Sequence, residues 1–348
     1  MSEESSRGER VPVEESLPGE ASPPSASSAD GASADAAPGE AEADSADSAD
    51  SAELPDARSQ LLKYSLPSLA VAGSIGLLGM ARERFQQSHM FEPTVFPQGD
   101  WQPEGLLTED VHFASEDGTA LHGWWLPNPR PSSHAEGPMT VLYCHGNSGN
   151  MTDRAEIFRG LHRLGVDIFA FDYRGYGRSE GAPSEAGVCS DARAAVDHVI
   201  AELGVSPRRL IVFGHSLGGA VAIDAVFHRR LVAGLVVQSS FTQNLDMARH
   251  FYPDLPVHWI TRNGFRSIEK VPDLTLPKLF VHGQADEKIP FEQGVELFAA
   301  ASEPKNFLPV PKAGHNDLPT WGGLRYFSAL RRFGREARRY GRTLRLDG

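Results

Sequence analysis

The chain has 348 residues, a length that suits one large domain or two modest ones. Its formal charge of −13 comes from residues 1–57, where 15 Asp and Glu accompany only 2 Arg, and the remaining residues are formally neutral. The charge therefore points to no substrate class, and without a basic stripe in the sequence we expect no nucleic-acid partner.

Residues 1–57 consist mostly of Ala, Ser, Asp, Glu, Pro and Gly and include no aromatic residue. Such a composition cannot bury enough apolar surface to offset the entropy lost on ordering. We therefore expect a disordered acidic low-complexity tail. Its composition does not identify a partner for it.

Residues 58–85 contain an uncharged segment, 64–81, which we interpret as a membrane anchor. As a helix it would reach about 27 Å, slightly short of a typical bilayer core. Ser68, Ala72 and Gly76 recur at four-residue spacing, as in closely packed membrane helices. The alternative is a helix that caps the domain, because the segment is only mildly apolar. The predicted location is thus membrane-associated, on an unknown side, and otherwise cytoplasmic.

From residue 86 onward, short apolar runs alternate with helical stretches. Two runs around EDGT predict an antiparallel hairpin, since Asp-Gly favours a tight turn. Five continuous apolar runs follow, typical of strands buried on both faces: TVLYC, VDIFAF, LIVFG, GLVVQ and KLFVHG. The intervening helices are predicted at 152–164, 186–203, 217–229, 291–302 and 320–339. This alternation indicates an α/β fold with a mostly parallel, twisted sheet of about eight strands and helices on both faces.

Residues 241–277 form a connection that is too long for an ordinary loop. Its apolar side chains can form a short helical lid over a pocket; they are Met247, Phe251, Tyr252, Trp259 and Ile260. They can equally pack as an extra helix pair without contact to a substrate. The sequence leaves both alternatives open.

The motif GHSLG places Ser216 between Gly214 and Gly218, after the run LIVF and before a helical stretch. A strand–turn–helix with this motif is the setting of a nucleophile elbow, in which strained backbone lifts the serine hydroxyl above the sheet edge. A turn that merely needs glycine is the plainer alternative. We predict that Ser216 is a nucleophile.

A serine hydroxyl needs a base to take its proton, and the base needs a carboxylate to orient it. His315 is the only histidine after the run KLFVHG, and Asp286 lies in the loop behind that run. The order Ser, acid, His along the chain matches this architecture. Glu287 and Asp246 are weaker alternatives for the acid.

The negative charge that forms on a substrate oxygen needs hydrogen-bond donors. We predict the backbone N–H of Leu217, at a helix N-terminus, and that of Asn147, in the loop HGNSGN after a strand. The loop FDYRGYGRSEG is interpreted as loop architecture, and the alternative is that its glycines and Tyr176 border the pocket. The cysteines have no metal-site spacing, and no phosphate loop or dinucleotide fingerprint occurs, so no metal or cofactor is predicted.

Five motifs together resemble the α/β-hydrolase superfamily: HGNSGN, FDYRGYGRSEG, GHSLGG, HGQADEKIP and AGHND. Their order and spacing are most similar to its small-lidded, often N-terminally anchored serine hydrolases, a branch that includes protein depalmitoylases and bacterial enzymes. The resemblance covers roughly residues 86–340 within a catalytic domain at 86–348. It implies the α/β-hydrolase fold, the site roles given above, and cleavage of an ester, thioester or amide through an acyl-enzyme.

The leading functional prediction is a carboxylesterase- or thioesterase-like serine hydrolase, of class EC 3.1, that acts on a small-molecule ester or thioester. The substrate would be lipid-derived if residues 64–81 associate with a membrane. A serine peptidase or amidase of the same fold and transfer to an acceptor other than water are enzymatic alternatives. A non-catalytic scaffold is disfavoured because all three triad positions are present.

Overall fold

The computed structural model describes residue 79 and residues 90–130, 134–261 and 263–346. The predicted tail at 1–57 lies outside these residues, as does the predicted anchor region at 58–85 except for residue 79. Among the described residues, no helix is both long and apolar enough to cross a membrane.

Eight of the strands form one sheet, and the other two form a short parallel pair. The strands of the described chain are β1 (Glu92–Pro93), β2 (Glu109–Ala114), β3 (Ala120–Leu126), β4 (Thr140–Cys144), β5 (Ser148–Gly149), β6 (Asp167–Phe171), β7 (Leu210–His215), β8 (Gly234–Gln238), β9 (Lys278–Gly283) and β10 (Lys305–Val310). The sheet order is β10-β9-β8-β7-β4-β6-β3-β2, and only the pairings of β3 with β2 and β6 are antiparallel. The predicted mostly parallel sheet and its antiparallel hairpin are confirmed.

Five helices of the described chain lie close to their predicted positions, and three short ones lie in the segment 241–277. They are α1 (Ala155–His162), α2 (Glu185–Ala201), α3 (Leu217–His228), α4 (Asn244–Phe251), α5 (Val257–Ile260), α6 (Ser267–Lys270), α7 (Phe291–Ala300) and α8 (Leu318–Gly341). The predicted helix at 152–164 begins as a 3-10 turn, Met151–Arg154, whose N-terminus is capped by the side chain of Asn150. Helix α8 is interrupted at Gly323, where φ is 46°.

Two apolar cores lie on opposite faces of the sheet, because the central strands are buried on both sides. One core contains alternate residues of β4 and β7, such as Leu142 and Val212, with residues of α2 and α3. The other contains the residues between them, such as Val141 and Ile211, with residues of α1 and α8. Successive strand residues point to opposite faces, which explains why these strands are continuously apolar in sequence.

The candidate site residues gather at one edge of the sheet. Asn147 follows β4, Ser216 follows β7, Asp286 follows β9 and His315 follows β10. Parallel strands end at the same edge, so loops that are far apart in sequence meet there. The segment 241–277, which contains α4, α5 and α6, leaves the sheet at this same edge after β8.

Candidate active site

Ser216 occupies a strained turn between β7 and α3. Its φ of 58° and ψ of −122° lie in a region that residues with side chains rarely adopt. A Cβ added to Gly214 would lie 2.0 Å from the carbonyl oxygen of Gly218, and one added to Gly218 would lie 2.0 Å from that of Cys144. Both glycines are therefore required by close backbone contacts, which hold the turn and raise the Ser216 side chain above the sheet.

The structure brings Ser216, His315 and Asp286 into one hydrogen-bonded chain. The Oγ of Ser216 lies 2.9 Å from Nε2 of His315, and Nδ1 of His315 lies 2.9 Å from Oδ2 and 3.0 Å from Oδ1 of Asp286. A carboxylate only accepts hydrogen bonds, so Nδ1 carries the proton and Nε2 is left free to accept one from Ser216. This is the arrangement in which a histidine acts as a base toward a serine.

The carboxylate of Asp286 is held ionised by its surroundings. Its side chain is buried, and burial alone would raise its pKa. Hydrogen bonds from His282 and His315, the charge of His315 and the backbone N–H of Ile289 outweigh burial, so the pKa of Asp286 lies well below its usual range. The N–H groups of Lys288 and Ile289 each donate to Oδ1 at 2.9 Å. Asp286 can therefore orient the imidazole and stabilise it when it is protonated.

The two alternative acids are placed elsewhere. Glu287 accepts a hydrogen bond from the backbone N–H of His315 at 3.2 Å, and Asp246 accepts one from the Thr242 hydroxyl at 2.8 Å. Asp246 also pairs with Arg249 at 3.0 Å. Within the described residues, neither carboxylate contacts the imidazole of His315. The geometry favours Asp286.

The predicted oxyanion donors, Asn147 and Leu217, line the same cavity as Ser216 and His315. Leu217 is the first residue of α3, and N–H groups of a first helical turn have no partner within the helix. The loop that carries Asn147 runs close to Ser216, since a Cβ added to Gly146 would lie 3.4 Å from Cβ of Ser216. The geometry is compatible with two donors on one substrate oxygen.

Two buried tyrosines, which the sequence did not single out as part of the site, hold the loop of Asn147. The hydroxyl of Tyr176 donates to the carbonyl oxygen of Asn147 at 2.8 Å, and that of Tyr173 donates to the carbonyl oxygen of His145 at 3.0 Å. Burial raises the pKa of both tyrosines, so both hydroxyls stay protonated donors. The loop FDYRGYGRSEG is thus a support for the candidate oxyanion loop.

His215, the residue before Ser216, holds the backbone of His315 by a hydrogen bond. Its Nε2 donates to the backbone carbonyl oxygen of His315 at 3.1 Å. Burial, followed by repulsion from His315, lowers the pKa of His215 to about 3, so its ring is neutral near neutral pH. The sequence shows a histidine within the serine motif. The role of His215, however, depends on its contact with a residue 100 positions further along the chain.

Ser216 and His315 open into a cavity of about 370 Å³, which we call the active-site cavity. Its lining is mainly apolar and includes Met90, Phe241, Met247, Phe251 and Ile289. Helix α4 supplies two of these side chains, so the segment 241–277 covers the candidate nucleophile. The side chains of Trp259 and Ile260 lie outside what the structure describes.

No group of three His, Cys, Asp or Glu side chains is arranged to hold a metal ion in the part of the chain that the structure describes. The polar groups around Ser216 include its own hydroxyl, an imidazole, a carboxylate and backbone N–H groups, and Glu92 and Lys288 line the same cavity. These groups can move one proton and stabilise one developing negative charge. Such an arrangement suits nucleophilic attack on a carbonyl carbon.

Comparisons with known proteins identify relatives of this chain. A family model described as serine aminopeptidase, S33, matches residues 136–263. An uncharacterized protein of Mycobacterium tuberculosis is 40% identical over 224 residues, which cover 64% of this chain and 78% of the relative. The α/β-hydrolase domain-containing protein WAV2 of Arabidopsis thaliana is 33% identical over 246 residues, covering 66% and 79%. Protein bem46 of Schizosaccharomyces pombe is 32% identical over 298 residues, covering 80% and 95%.

A solved structure shares the fold. An esterase of Pyrococcus furiosus superposes with a TM-score of 0.57 at 22% identity, covering 70% of this chain and 97% of the esterase. Together with the sheet order and the sequence relatives, this likeness confirms the resemblance inferred from the five motifs. The chain belongs to the α/β-hydrolase superfamily.

Proposed function

We propose that this protein is a serine hydrolase that cleaves a carboxylic ester or thioester through an acyl-enzyme on Ser216. The observation that carries the proposal is the 2.9 Å contact between Oγ of Ser216 and Nε2 of His315 at the floor of a mainly apolar cavity. Membership of a hydrolase superfamily supports the reaction type. The apolar lining supports an acyl group without charge.

In the first half-reaction, Nε2 of His315 takes the proton of Ser216 as Oγ attacks the substrate carbonyl carbon. The N–H groups of Leu217 and Asn147 stabilise the negative charge that develops on the carbonyl oxygen. Asp286 stabilises the imidazolium that forms. The imidazolium then donates its proton to the departing alcohol or thiol, and the Ser216 acyl ester remains.

In the second half-reaction, His315 takes a proton from water, and the resulting hydroxide attacks the acyl carbon. The same N–H donors stabilise the second tetrahedral intermediate. Nε2 then returns the proton to Oγ of Ser216, which releases the carboxylic acid. The cycle needs no metal ion or cofactor.

Amide cleavage is a second candidate, favoured by one carboxylate. Glu92 lines the active-site cavity, and its Oε2 accepts a hydrogen bond from the Ser148 hydroxyl at 2.6 Å. A carboxylate in this position can bind the ammonium group of a peptide N-terminus, and the matching family model is described as a serine aminopeptidase. A Glu92→Gln variant tests this candidate, because it should lose activity on aminoacyl anilides while keeping activity on neutral esters.

Labelling with a fluorophosphonate tests the proposed function. The full-length protein should react in a stoichiometric manner, and Ser216→Ala should not react. Ser148→Ala is the matched control, since Ser148 lines the same cavity but bonds to Glu92 rather than to His315. Absence of labelling in the folded wild-type protein, or equal labelling of Ser216→Ala, would contradict the proposal. Chain-length series of p-nitrophenyl esters and acyl thioesters would then identify the acyl group.

A further inference from the structure

A second cavity, of about 620 Å³, lies between the C-terminal end of α1 and the helix α8. The two helices touch at Gly160, where an added Cβ would lie 2.7 Å from the ring of Phe327. Beyond this contact the cavity extends along α8 from Leu330 to Arg342. It shares no lining residue with the active-site cavity.

Arginines form the rim of this second cavity, which we call the arginine cavity. Those that line it on and around the two helices are Arg163, Arg331, Arg335, Arg338, Arg339 and Arg342. Its floor is apolar and consists of sheet and helix residues such as Val141, Ile211, Phe213, Val236 and Phe333. Among the residues that the structure describes, none that lines the cavity is an Asp or Glu.

The rim brings like charges together on α8. Arg331, Arg335 and Arg339 are spaced four residues apart on α8, and like charges at this spacing destabilise a helix. Within the described residues, none of these three side chains has an ion-pair partner. The dipole of α8 favours cations in its last turn and accounts for Arg338 and Arg339, but it does not account for Arg331 and Arg335.

Arg338 lies deepest in this group, with only 11% of its side chain exposed. Its Nη2 donates to the carbonyl oxygen of Gly137 at 3.1 Å, but its Nη1 has no hydrogen-bond acceptor and lies 3.6 Å from Glu136. Burial lowers the pKa of Arg338, and the charges of Arg209 and Arg342 lower it further, whereas Glu136 raises it. An anion in the cavity would supply the missing acceptor.

In the described chain, Glu136 is the carboxylate that forms ion pairs with members of this group. It contacts Arg342 at 3.2 Å as well as Arg338, and its side chain is half exposed at the edge of the cavity. One exposed carboxylate cannot neutralise the arginines of the rim. The apolar floor belongs to the core that contains α1 and α8, and its partly buried members Leu164 and Val166 line the cavity.

We propose that the arginine cavity binds a single amphiphilic anion, with a phosphate or carboxylate headgroup on the arginines and an alkyl tail on the apolar floor. Guanidinium groups bind such headgroups in bidentate fashion, and Arg335, Arg338 and Arg339 line the cavity from one helix. The cavity volume lies in the range of small-molecule sites. This inference does not depend on the proposed hydrolysis.

Calorimetric titration of the full-length protein with dodecyl phosphate below its micelle concentration tests the inference. Dodecyltrimethylammonium has the same tail with the opposite charge, and inorganic phosphate has the headgroup without the tail. We expect dodecyl phosphate to bind at least about tenfold more tightly than either, because each lacks one half of the interaction. Equal affinity for either of the two controls would overturn the proposal.

Charge reversals identify the site of binding. Arg335→Glu combined with Arg339→Glu should weaken dodecyl phosphate binding by about tenfold or more. Arg325→Glu combined with Arg332→Glu makes the same change in charge at exposed positions of α8 that do not line the cavity, and it should change affinity less than about twofold. Equal losses in the two double variants would show non-specific attraction and contradict the assigned site.

A third variant tests the apolar half without altering any charge. Gly334 lines the cavity, and a Cβ added there meets no atom within 4 Å. Gly334→Leu should therefore fill part of the cavity, lower the affinity for dodecyl phosphate and leave α8 folded. Unchanged affinity in Gly334→Leu would contradict a tail-binding floor. Binding to phosphatidylglycerol vesicles in the absence of dodecyl phosphate binding would assign the arginines to a bilayer surface instead.

Discussion

The active-site cavity and the arginine cavity differ in how their properties arise. In the active-site cavity, a few hydrogen bonds of defined length set the chemistry, such as those of Ser216 and Asp286 to His315. The arginine cavity is instead characterised by its total positive charge, to which each arginine contributes. Removal of one atom should therefore have a large effect in the first cavity and a small effect in the second.

The largest effect is expected at Asp286, the proposed acid. Asp286→Asn keeps the size of the side chain but removes the charge that stabilises a protonated His315, so kcat for an ester should fall by about 10⁴-fold. Steady-state kinetics with a p-nitrophenyl ester measure the change. Glu287→Gln is the control and should lose less than about tenfold, since Glu287 contacts only the backbone of His315. A larger loss in Glu287→Gln than in Asp286→Asn would assign the acid to Glu287.

A smaller effect on kcat is expected when the hydrogen bond that supports the candidate oxyanion loop is removed. Tyr176→Phe removes the hydrogen bond to the carbonyl oxygen of Asn147, and a less fixed donor should lower kcat about tenfold with little change in KM. Tyr340→Phe is the control. Tyr340 lies on α8, away from the active-site cavity, and this variant should have wild-type kinetics. An unchanged kcat in Tyr176→Phe would show that this hydrogen bond serves only folding.

The buried imidazole of His215 should appear in the pH dependence of stability. Its pKa is about 3 in the folded protein, below that of an unfolded histidine near 6.5. Between these values the unfolded chain binds one more proton than the folded one, so stability rises with pH by up to about 1.4 kcal/mol per pH unit. His215→Gln should reduce this dependence of the free energy of unfolding on pH. Urea titrations of both proteins between about pH 4 and 6 measure the change. An identical slope in both proteins would place the titration elsewhere.

The smallest effect is expected in the arginine cavity. Arg335→Gln relieves repulsion from Arg331 and Arg339 and should raise the free energy of unfolding by about 0.5 kcal/mol at low salt. The gain should shrink when salt screens the charges. Arg332→Gln, which points away from the cavity, serves as the control. Destabilisation by Arg335→Gln would show that Arg335 makes a stabilising contact and would contradict repulsion within the rim.

The sequence predicted the fold and the positions of Ser216, Asp286 and His315 because these features depend on short local patterns. Apolar runs marked the strands, and each of the three residues lies in a loop directly after one of them. The structure adds the distances between their side chains. The tail at 1–57 and the anchor region at 58–85 stay predictions.

The supporting contacts could not be predicted, because they join parts of the chain that are remote in sequence. Tyr176 contacts the loop of Asn147 only after β4 and β6 pair, and His215 meets His315 only after β7 and β10 reach the same edge. The arginines of α8 are visible in the sequence, yet no basic stripe was predicted from them. Their convergence depends on how α8 packs against α1.

The proposed mechanism requires that Ser216 carries the acyl group during turnover. The most direct test is to mix the protein with a p-nitrophenyl acyl ester, quench with acid during the burst and analyse the peptides by mass spectrometry. We expect the mass of the acyl group on the peptide that contains Ser216, and no such adduct in Ser216→Ala. Ester turnover with no adduct on Ser216, or with an adduct on another residue, would contradict the claim.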